Sequence, residues 1–186
     1  ENSGQYSLTI TIQDNSTESL HYIFHASDTA GNWRHTTQTT ASISDNDAPV
    51  FGTDTTPASG TTGDTFTLSI YAADNIGVSS VYAEYWVGSG SHTNTTMTEN
   101  SGQYSLTITI QDNSTEDLRY IFHAVDQEKN WAHSTEERSR IADDDKPELV
   151  EDLTPSFGYT GDSIKIVFEL MDNIGIDNVH IEHWSE

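Results

Sequence analysis

The stretch ENSGQYSLTITIQDNSTE occupies residues 1–18 and recurs without a single change at residues 99–116. The same spacing of 98 residues pairs Trp33 with Trp131, and the overlap between the two copies needs no insertion. Solenoid repeats such as ankyrin or TPR have periods of roughly 20 to 50 residues and cannot fold one at a time. A period of 98 residues is instead the size of a small domain. We therefore expect each complete unit to have its own hydrophobic core.

Apolar and polar residues alternate along several short segments. Between Thr65 and Ala73, the apolar residues Phe66, Leu68 and Ile70 fall on one side of the chain. A period of two is typical of β-strands with one buried face, and no window of similar length has helical spacing. Glycine, asparagine, aspartate and serine mark turns between these segments. The predicted strands of one unit lie near Val50 and at about 64–73, 78–87, 92–98, 103–111, 117–126 and 131–142.

About seven short strands per unit, with turns every 8 to 12 residues, predict an all-β fold of immunoglobulin-like (Ig-like) β-sandwich repeats in tandem. The complete unit spans residues 48–145. Residues 1–47 correspond to the C-terminal half of a unit, and residues 146–186 correspond to the N-terminal half. Two explanations stay open at this point. The chain is a window cut from a longer array, or the half-unit at one end of a chain completes the half-unit of its neighbour.

Three motifs resemble a known family. YIFHASDTAGN at residues 22–32 resembles the penultimate strand and following loop of Ig-like repeats in bacterial and archaeal cell-surface proteins. DNIGVSSV at residues 74–81 resembles their turn between the second and third strands. DNDAP at residues 45–49 and DDDKP at residues 143–147 are similar to the starts of such repeats, and to the acidic linkers between cadherin repeats. The resemblance implies an extracellular or cell-surface location.

Acidic and amide residues occur in turns that an Ig-like sandwich would bring to one end of the unit. Ca²⁺ prefers six to eight oxygen ligands from carboxylates, amides and main-chain carbonyls. The alternative is that aspartate and asparagine occupy these turns because they cap turns and tolerate left-handed backbone, without a metal. The candidate metal ligands are Asp45, Asn46, Asp47, Asp74, Asn75, Asp126 and Asn130 at the first junction, and Asp143, Asp144, Asp145, Asp172 and Asn173 at the second.

Three asparagines begin sequences that accept N-linked glycans. They are Asn15, Asn94 and Asn113, and each lies in a predicted turn or at a polar edge. The chain is rich in serine, threonine and asparagine, so chance sequons are also expected.

Aromatic residues on the third strand form a candidate interface. Trp86 shares the parity of Tyr82, opposite Val81, and Trp184 is its counterpart 98 residues later. If Val81 faces the core, these rings face outward and could stack on a sugar or seal a contact between subunits. The alternative is that each ring lies over its own sheet. Trp33 and Trp131 begin the last strand and are interpreted as packing residues.

Composition excludes several classes of function. The chain has a formal net charge of −23 with only 7 lysine and arginine residues, which disfavours binding to nucleic-acid phosphates. It has no cysteine, so disulfides and thiolate zinc sites are excluded. No apolar run reaches the length of a membrane span. The eight histidines show no zinc-protease spacing, and no catalytic triad or phosphate-binding loop is evident, so we expect no enzyme.

The sequence therefore predicts a structural or adhesive extracellular protein. Rigid repeats would be arranged end to end as a filament, stalk or surface layer. We expect Ca²⁺ to stiffen the junctions, and strands of a neighbouring unit to complete the half-units. The alternative is an accessory carbohydrate-binding or spacer region of a secreted enzyme, with glycans as partners.

Overall fold

The computed structural model describes residues 4–184, and residues 1–3 and 185–186 of the two predicted end halves lie outside it. The described part is all-β, as predicted, and contains no helix. Its strands are β1 (Leu20–Tyr22), β2 (His25–Ser27), β3 (Trp33–His35), β4 (Thr39–Ala41), β5 (Val50–Asp54), β6 (Ser59–Thr61), β7 (Thr65–Ala73), β8 (Val78–Val87), β9 (Thr93–Thr96), β10 (Thr98–Asn100), β11 (Gln103–Thr109), β12 (Leu118–Asp126), β13 (Trp131–His133), β14 (Glu137–Ala142), β15 (Glu148–Asp152) and β16 (Phe168–Met171).

Strands β5 to β14 form a two-layer sandwich. One sheet has the order β10-β11-β7-β5, and the other has the order β6-β14-β12-β8-β9, with β13 also paired to β12. The apolar sides of these strands share one core, in which Leu68, Val81 and Phe122 are fully buried. Burying each such side chain contributes roughly 1.5 to 3 kcal/mol. The predicted alternation of residues between core and surface therefore holds for the long strands β7, β8 and β12.

The short strands differ from the prediction in three places. The segment predicted at 92–98 is divided into β9 and β10, because Met97 between them turns into the core. The segment predicted at 131–142 is divided into β13 and β14, which both pair with β12. Strand β6 was not predicted, and it pairs in parallel with β14. A side chain at Gly60 in β6 would lie only 2.6 Å from Ile110, so a glycine permits this close approach.

Strand pairs outside the sandwich follow the same register as pairs inside it. Leu20 pairs with Ala41 as Leu118 pairs with Ser139, which are the same positions 98 residues later. The β2 and β3 pair repeats the pairing of β12 with β13, and the β15 and β16 pair repeats that of β5 with β7. Local strand pairing is therefore set by the sequence and does not require the complete sandwich.

Residues 4–12 and 172–184 form no strand. Their counterparts β11 and β8 each lie between two neighbouring strands in the sandwich. Residues 4–12 have no neighbour equivalent to β7 beside them, so their backbone groups lack a partner on that side. Their alternating apolar side chains are correspondingly exposed.

Candidate functional site

Three carboxylates meet at the end of the sandwich where residues 45–47 enter it. Asp45 precedes β5, Asp74 follows β7, and Asp126 is the last residue of β12. One ligand oxygen from each lies within 4.8 Å of those of the other two. The loops after β7 and β12 lie at the same end as the entering chain, which is why residues far apart in sequence converge. We call these three residues the junction triad.

Asp126 is the most buried member of the triad, with no exposed surface. Burial raises the pKa of its carboxyl group, but hydrogen bonds outweigh this effect and hold the pKa below its ordinary value. Asn130 supplies the main ones, since its backbone N donates to Oδ1 at 2.8 Å and its Nδ2 donates to Oδ2 at 2.7 Å. The left-handed backbone of Lys129, with φ of 75°, turns the loop back for these contacts. Asp126 is therefore a fixed, ionised carboxylate.

The other two triad members each have one oxygen without a partner. Asp74 Oδ1 accepts hydrogen bonds from the backbone N of Ile76 at 2.9 Å and of Gly77 at 2.8 Å. Asp45 Oδ1 accepts one from the backbone N of Asp47 at 3.2 Å. The remaining oxygens, Oδ2 of both Asp45 and Asp74, are buried and have no hydrogen-bond partner. A buried carboxylate oxygen without a partner is costly, and a bound cation would satisfy it.

Asn75 joins the triad to the segment that precedes it. Its Nδ2 donates to the carbonyl oxygen of Asp14 at 2.7 Å, and lies 3.3 Å from Asp45 Oδ1 and 3.4 Å from Asp47 Oδ2. Its own side-chain oxygen, Oδ1, is also buried without a hydrogen-bond partner, so it joins the Oδ2 atoms of Asp45 and Asp74 as a candidate metal ligand. Asn130 Nδ2 lies 3.4 Å from the carbonyl oxygen of Asp45. Two amide side chains therefore hold the residue 45–47 linker against the sandwich.

The second junction repeats the first. Asn173 Nδ2 donates to the carbonyl oxygen of Asp112 at 2.9 Å and to Asp145 Oδ2 at 3.0 Å, and its Oδ1 is again buried without a partner. Thr62 adds a contact to this junction, since its hydroxyl lies 3.2 Å from Asp143 Oδ1 and also 3.2 Å from Asp145 Oδ2. Asn173, Asp112 and Asp145 lie 98 residues after Asn75, Asp14 and Asp47, which make the same contacts at the first junction.

The second junction contains only some of the candidate metal ligands found at the first. Asp172 Oδ1 accepts hydrogen bonds from the backbone N of Ile174 and Gly175, as Asp74 does from its own loop. Asp144 lines the same concave surface as Asp112 and Asp172. The segment 146–184 contains no counterpart of Asp126, so a triad is described at the first junction alone.

Asn46 lies outside the triad, and Asp14 makes a contact that the sequence did not predict. Asn46 is exposed and, within residues 4–184, its side chain makes no hydrogen bond at the triad. Asp14 was missed, although its carbonyl accepts the shortest bond from Asn75. The available signal was that Asp14 and Asp112 occupy the same turn of the identical stretch. A main-chain carbonyl can accept a hydrogen bond in any residue type, so the sequence contained no direct indication of this contact.

Histidines line the outer face of the β8 and β12 sheet. Glu84 lies 2.6 Å from His92 Nδ1 and 2.9 Å from His123 Nε2, and His123 Nδ1 lies 2.7 Å from His133 Nδ1. Hydrogen bonds from His92 first, and then from His123, lower the pKa of the Glu84 carboxyl group. We call these four residues the outer-face row. It links β8, β12, β13 and the residue that precedes β9 across the surface.

The predicted aromatic interface is only partly exposed. Trp86 faces outward, but His92 stacks on it with ring centroids 3.8 Å apart, so the ring lies covered on its own sheet. Of the two alternatives for Trp86, the structure therefore agrees with the one in which the ring lies over its own sheet. Tyr82 stacks against Trp131 at 6.0 Å, and Trp131 keeps about half of its surface exposed. Trp184 is largely exposed.

The three predicted glycan acceptors are all exposed. Asn15 and Asn113 lie in equivalent turns, and Asn94 lies on β9 at the edge of its sheet. Each amide is therefore sterically available from the solvent.

Comparison with known proteins identifies no family. No protein-family model matches the chain, and no curated protein matches it. The chain is similar to solved structures that include the crystal structure of a Br derivative of BhCBM56, a carbohydrate-binding module. The TM-score is 0.38 and the sequence identity 20%, over 51% of this chain and 99% of that chain. A TM-score this low supports no argument about function.

Among residues 4–184, no helix is long and apolar enough to cross a membrane.

Proposed function

We propose that this chain is a structural or adhesive segment of an extracellular surface protein. Ig-like units are joined end to end into a filament, stalk or surface layer, and Ca²⁺ bound at the junctions stiffens them. The observation that carries the proposal is the recurrence of the same junction contacts at Asn75 and Asn173. Because both asparagines bind the turn of the preceding unit, successive units would meet in one fixed geometry.

The chemistry of the junction triad favours a hard divalent cation. Its donor atoms are carboxylate oxygens, with the Oδ1 atom of Asn75 beside them, and no histidine belongs to the cluster. Ca²⁺ takes such oxygen ligands at 2.3 to 2.6 Å and completes its shell with carbonyls and water. Three carboxylates with oxygens within 4.8 Å of one another repel each other. A bound cation would offset that repulsion and would also contact the two unpartnered oxygens.

The same cation would act on the linker. Asp45 belongs to the linker, whereas Asp74 and Asp126 belong to the sandwich. A cation shared among them would therefore restrain the preceding unit relative to the sandwich. The proline that follows the linker at position 49 is buried and further limits its freedom. Rigidity at each junction is what an extended stalk or filament requires.

Calorimetric titration of Ca²⁺ into the chain tests the proposed site. We expect binding in the native chain, and at least a tenfold loss of affinity in Asp74→Asn. Asp162→Asn is the matched control, because it removes the same charge from a residue whose side chain accepts no hydrogen bond within residues 4–184. Equal affinity in both variants would disprove the triad as the binding site.

A second candidate function is carbohydrate binding. Tyr82, Trp131 and His133 stack in a row on the outer face, and Trp131 is half exposed. Exposed aromatic rings of this kind can stack on the apolar face of a sugar. A glycan array compares the native chain with Trp131→Ala. Loss of binding supports this function, while a native chain that binds no glycan rejects it.

A further inference from the structure

We propose that His123 and His133 form a binding site for a transition-metal ion such as Zn²⁺, with Glu84 fixing the orientation of His123. The site lies on the outer face of the sandwich and shares no residue with the junction triad. It takes a different class of metal, because its donor atoms are imidazole nitrogens and not carboxylate oxygens. The inference does not rest on the proposed function.

Strand pairing brings the two histidines together. His123 on β12 lies directly opposite His133 on β13 in the antiparallel register. At the next pair along, the backbone N of Ser134 donates to the carbonyl of Phe122 at 2.9 Å. Hydrogen-bonded and non-hydrogen-bonded pairs alternate along such a ladder, so the histidines form a non-hydrogen-bonded pair. This is the type of pair in which opposite side chains lie closest.

The spacing of the two Nδ1 atoms suits a shared metal ion. They lie 2.7 Å apart, and within residues 4–184 each has only the other as a hydrogen-bond partner. Zn²⁺ binds imidazole nitrogen at about 2.0 to 2.1 Å, which places two nitrogens of one ion about 2.8 to 3.4 Å apart. The rings would therefore need to separate by less than about 1 Å to hold the ion.

Glu84 determines which nitrogen of His123 is free to bind. Its Oε2 lies 2.9 Å from His123 Nε2, and an ionised carboxylate can only accept, so Nε2 carries the hydrogen. In a neutral imidazole the other nitrogen then has a free lone pair, and here that nitrogen is the Nδ1 atom that faces His133. A carboxylate bound to the far nitrogen of a histidine ligand fixes its tautomer and makes it a stronger donor.

The ring of His133 is held in place and remains accessible. It stacks on Trp131 with ring centroids 6.1 Å apart and an angle of 12° between the planes. His133 is exposed, and the side chain of His123 keeps 15% of its surface exposed. An ion can therefore approach from the solvent and complete its coordination with water.

Binding requires one proton to move. Because Nδ1 of His123 is unprotonated, the hydrogen of the bond between the two rings belongs to Nδ1 of His133. An incoming ion would take the place of that hydrogen, and the neutral His133 ring would carry its proton on Nε2 instead.

A second pair of facing histidines has to be removed before the site is tested. His25 lies opposite His35 in the register of β2 and β3, with ring centroids 5.6 Å apart, compared with 4.9 Å for His123 and His133. Both residues are exposed, so His25→Asn and His35→Asn together provide a background with one facing pair.

Calorimetric titration of Zn²⁺ into this background at about pH 7.5, where imidazole is largely neutral, tests the site. Excess Ca²⁺ is present throughout to compete for carboxylate ligands. We expect His133→Asn to weaken Zn²⁺ binding at least tenfold, and Glu84→Gln to weaken it about tenfold. His92→Asn is the matched control, because His92 lies on the same face and contacts Glu84 but no other imidazole nitrogen. A background chain that binds no Zn²⁺, or equal affinity in His133→Asn and His92→Asn, overturns the proposal.

Nuclear magnetic resonance of the histidine side-chain nitrogens distinguishes coordination from an indirect effect on the fold. We expect His123 of the metal-free chain to be protonated at Nε2, and Zn²⁺ to shift the Nδ1 signals of both His123 and His133. Glu84→Gln should reduce the fraction of His123 in this tautomer. A His123 ring protonated at Nδ1, or Zn²⁺-induced shifts confined to other histidines, would show that the metal site is not formed by this pair. Neither experiment depends on Ca²⁺ binding at the junction triad.

Discussion

The side chain of Asn75 donates a hydrogen bond from Nδ2 to the main-chain carbonyl of Asp14 at 2.7 Å, across 61 positions of sequence. Asn173 makes the same bond to Asp112 at 2.9 Å, again across 61 positions. In both places an asparagine in the loop after one strand donates a hydrogen bond to the backbone of a turn in the preceding segment. The contact recurs with the sequence period of 98 residues.

Asn75→Ala should loosen the first junction. The variant loses the bonds to Asp14 and the linker, each contributing about 1 kcal/mol. We expect limited proteolysis within residues 42–47 to accelerate severalfold, while unfolding of the central sandwich changes little. Asn94→Ala is the control, since Asn94 is exposed on β9 and away from both junctions. Equal proteolysis of the two variants would contradict this role of Asn75.

Phe122 and Phe24 allow the same substitution to be compared in two environments. Phe122→Ala should lower the free energy of unfolding by about 3 to 5 kcal/mol, because it empties a fully buried position. Phe24→Ala should change it by no more than about 0.5 kcal/mol in a dilute single chain. Urea unfolding followed by tryptophan fluorescence measures both. A large cost for Phe24 in the monomer would mean that the end segment is packed.

Glu84 should make stability depend on acid pH. Its folded-state pKa is lowered by hydrogen bonds from His92 and His123, so its contribution is complete above the unfolded pKa of about 4.5. The contribution is lost as the pH falls through the lowered folded-state value. Thermal unfolding across this range should show a smaller decline for Glu84→Gln than for the native chain. Parallel declines would exclude Glu84 as a source of the acid dependence.

Tyr120 should resist ionisation in the folded chain. Burial, and then the nearby charge of Asp54, raises the pKa of its hydroxyl to about 12. The protonated form is favoured by folding, so stability is complete below the unfolded pKa of about 10 and declines as the pH rises from 10 towards 12. Absorbance titration of tyrosinate should show a group that titrates near pH 12 in the native chain and is absent in Tyr120→Phe. If Tyr120→Phe kept this late-titrating group, the assignment of the group to Tyr120 would be wrong.

The sequence predicted the all-β class and the long strands because period-two alternation reports burial directly. Strands β7, β8 and β12 begin or end within a residue of their predicted bounds. Short strands were harder to predict. β6 has only three residues and depends on the parallel edge of β14, which no local pattern encodes.

The site could be predicted in part. The triad residues were all candidates, because acidic turns at one end of a sandwich converge. The role of Asp14 was not predictable from residue type, since its backbone is what contacts Asn75. A Trp86 ring lying over its own sheet was one of two alternatives, but His92 was not identified as its partner, because strand parity indicates the face of a ring and not what covers that face.

Thermal unfolding of the native chain with saturating Ca²⁺, and again with a chelator, tests whether a cation binds at the junction triad. Binding to the folded state alone raises the unfolding temperature by mass action. We expect a higher melting temperature with Ca²⁺ in the native chain and in the Asp162→Asn control, and a greatly reduced difference in Asp74→Asn. An unchanged melting temperature in the native chain would contradict a cation at the junction.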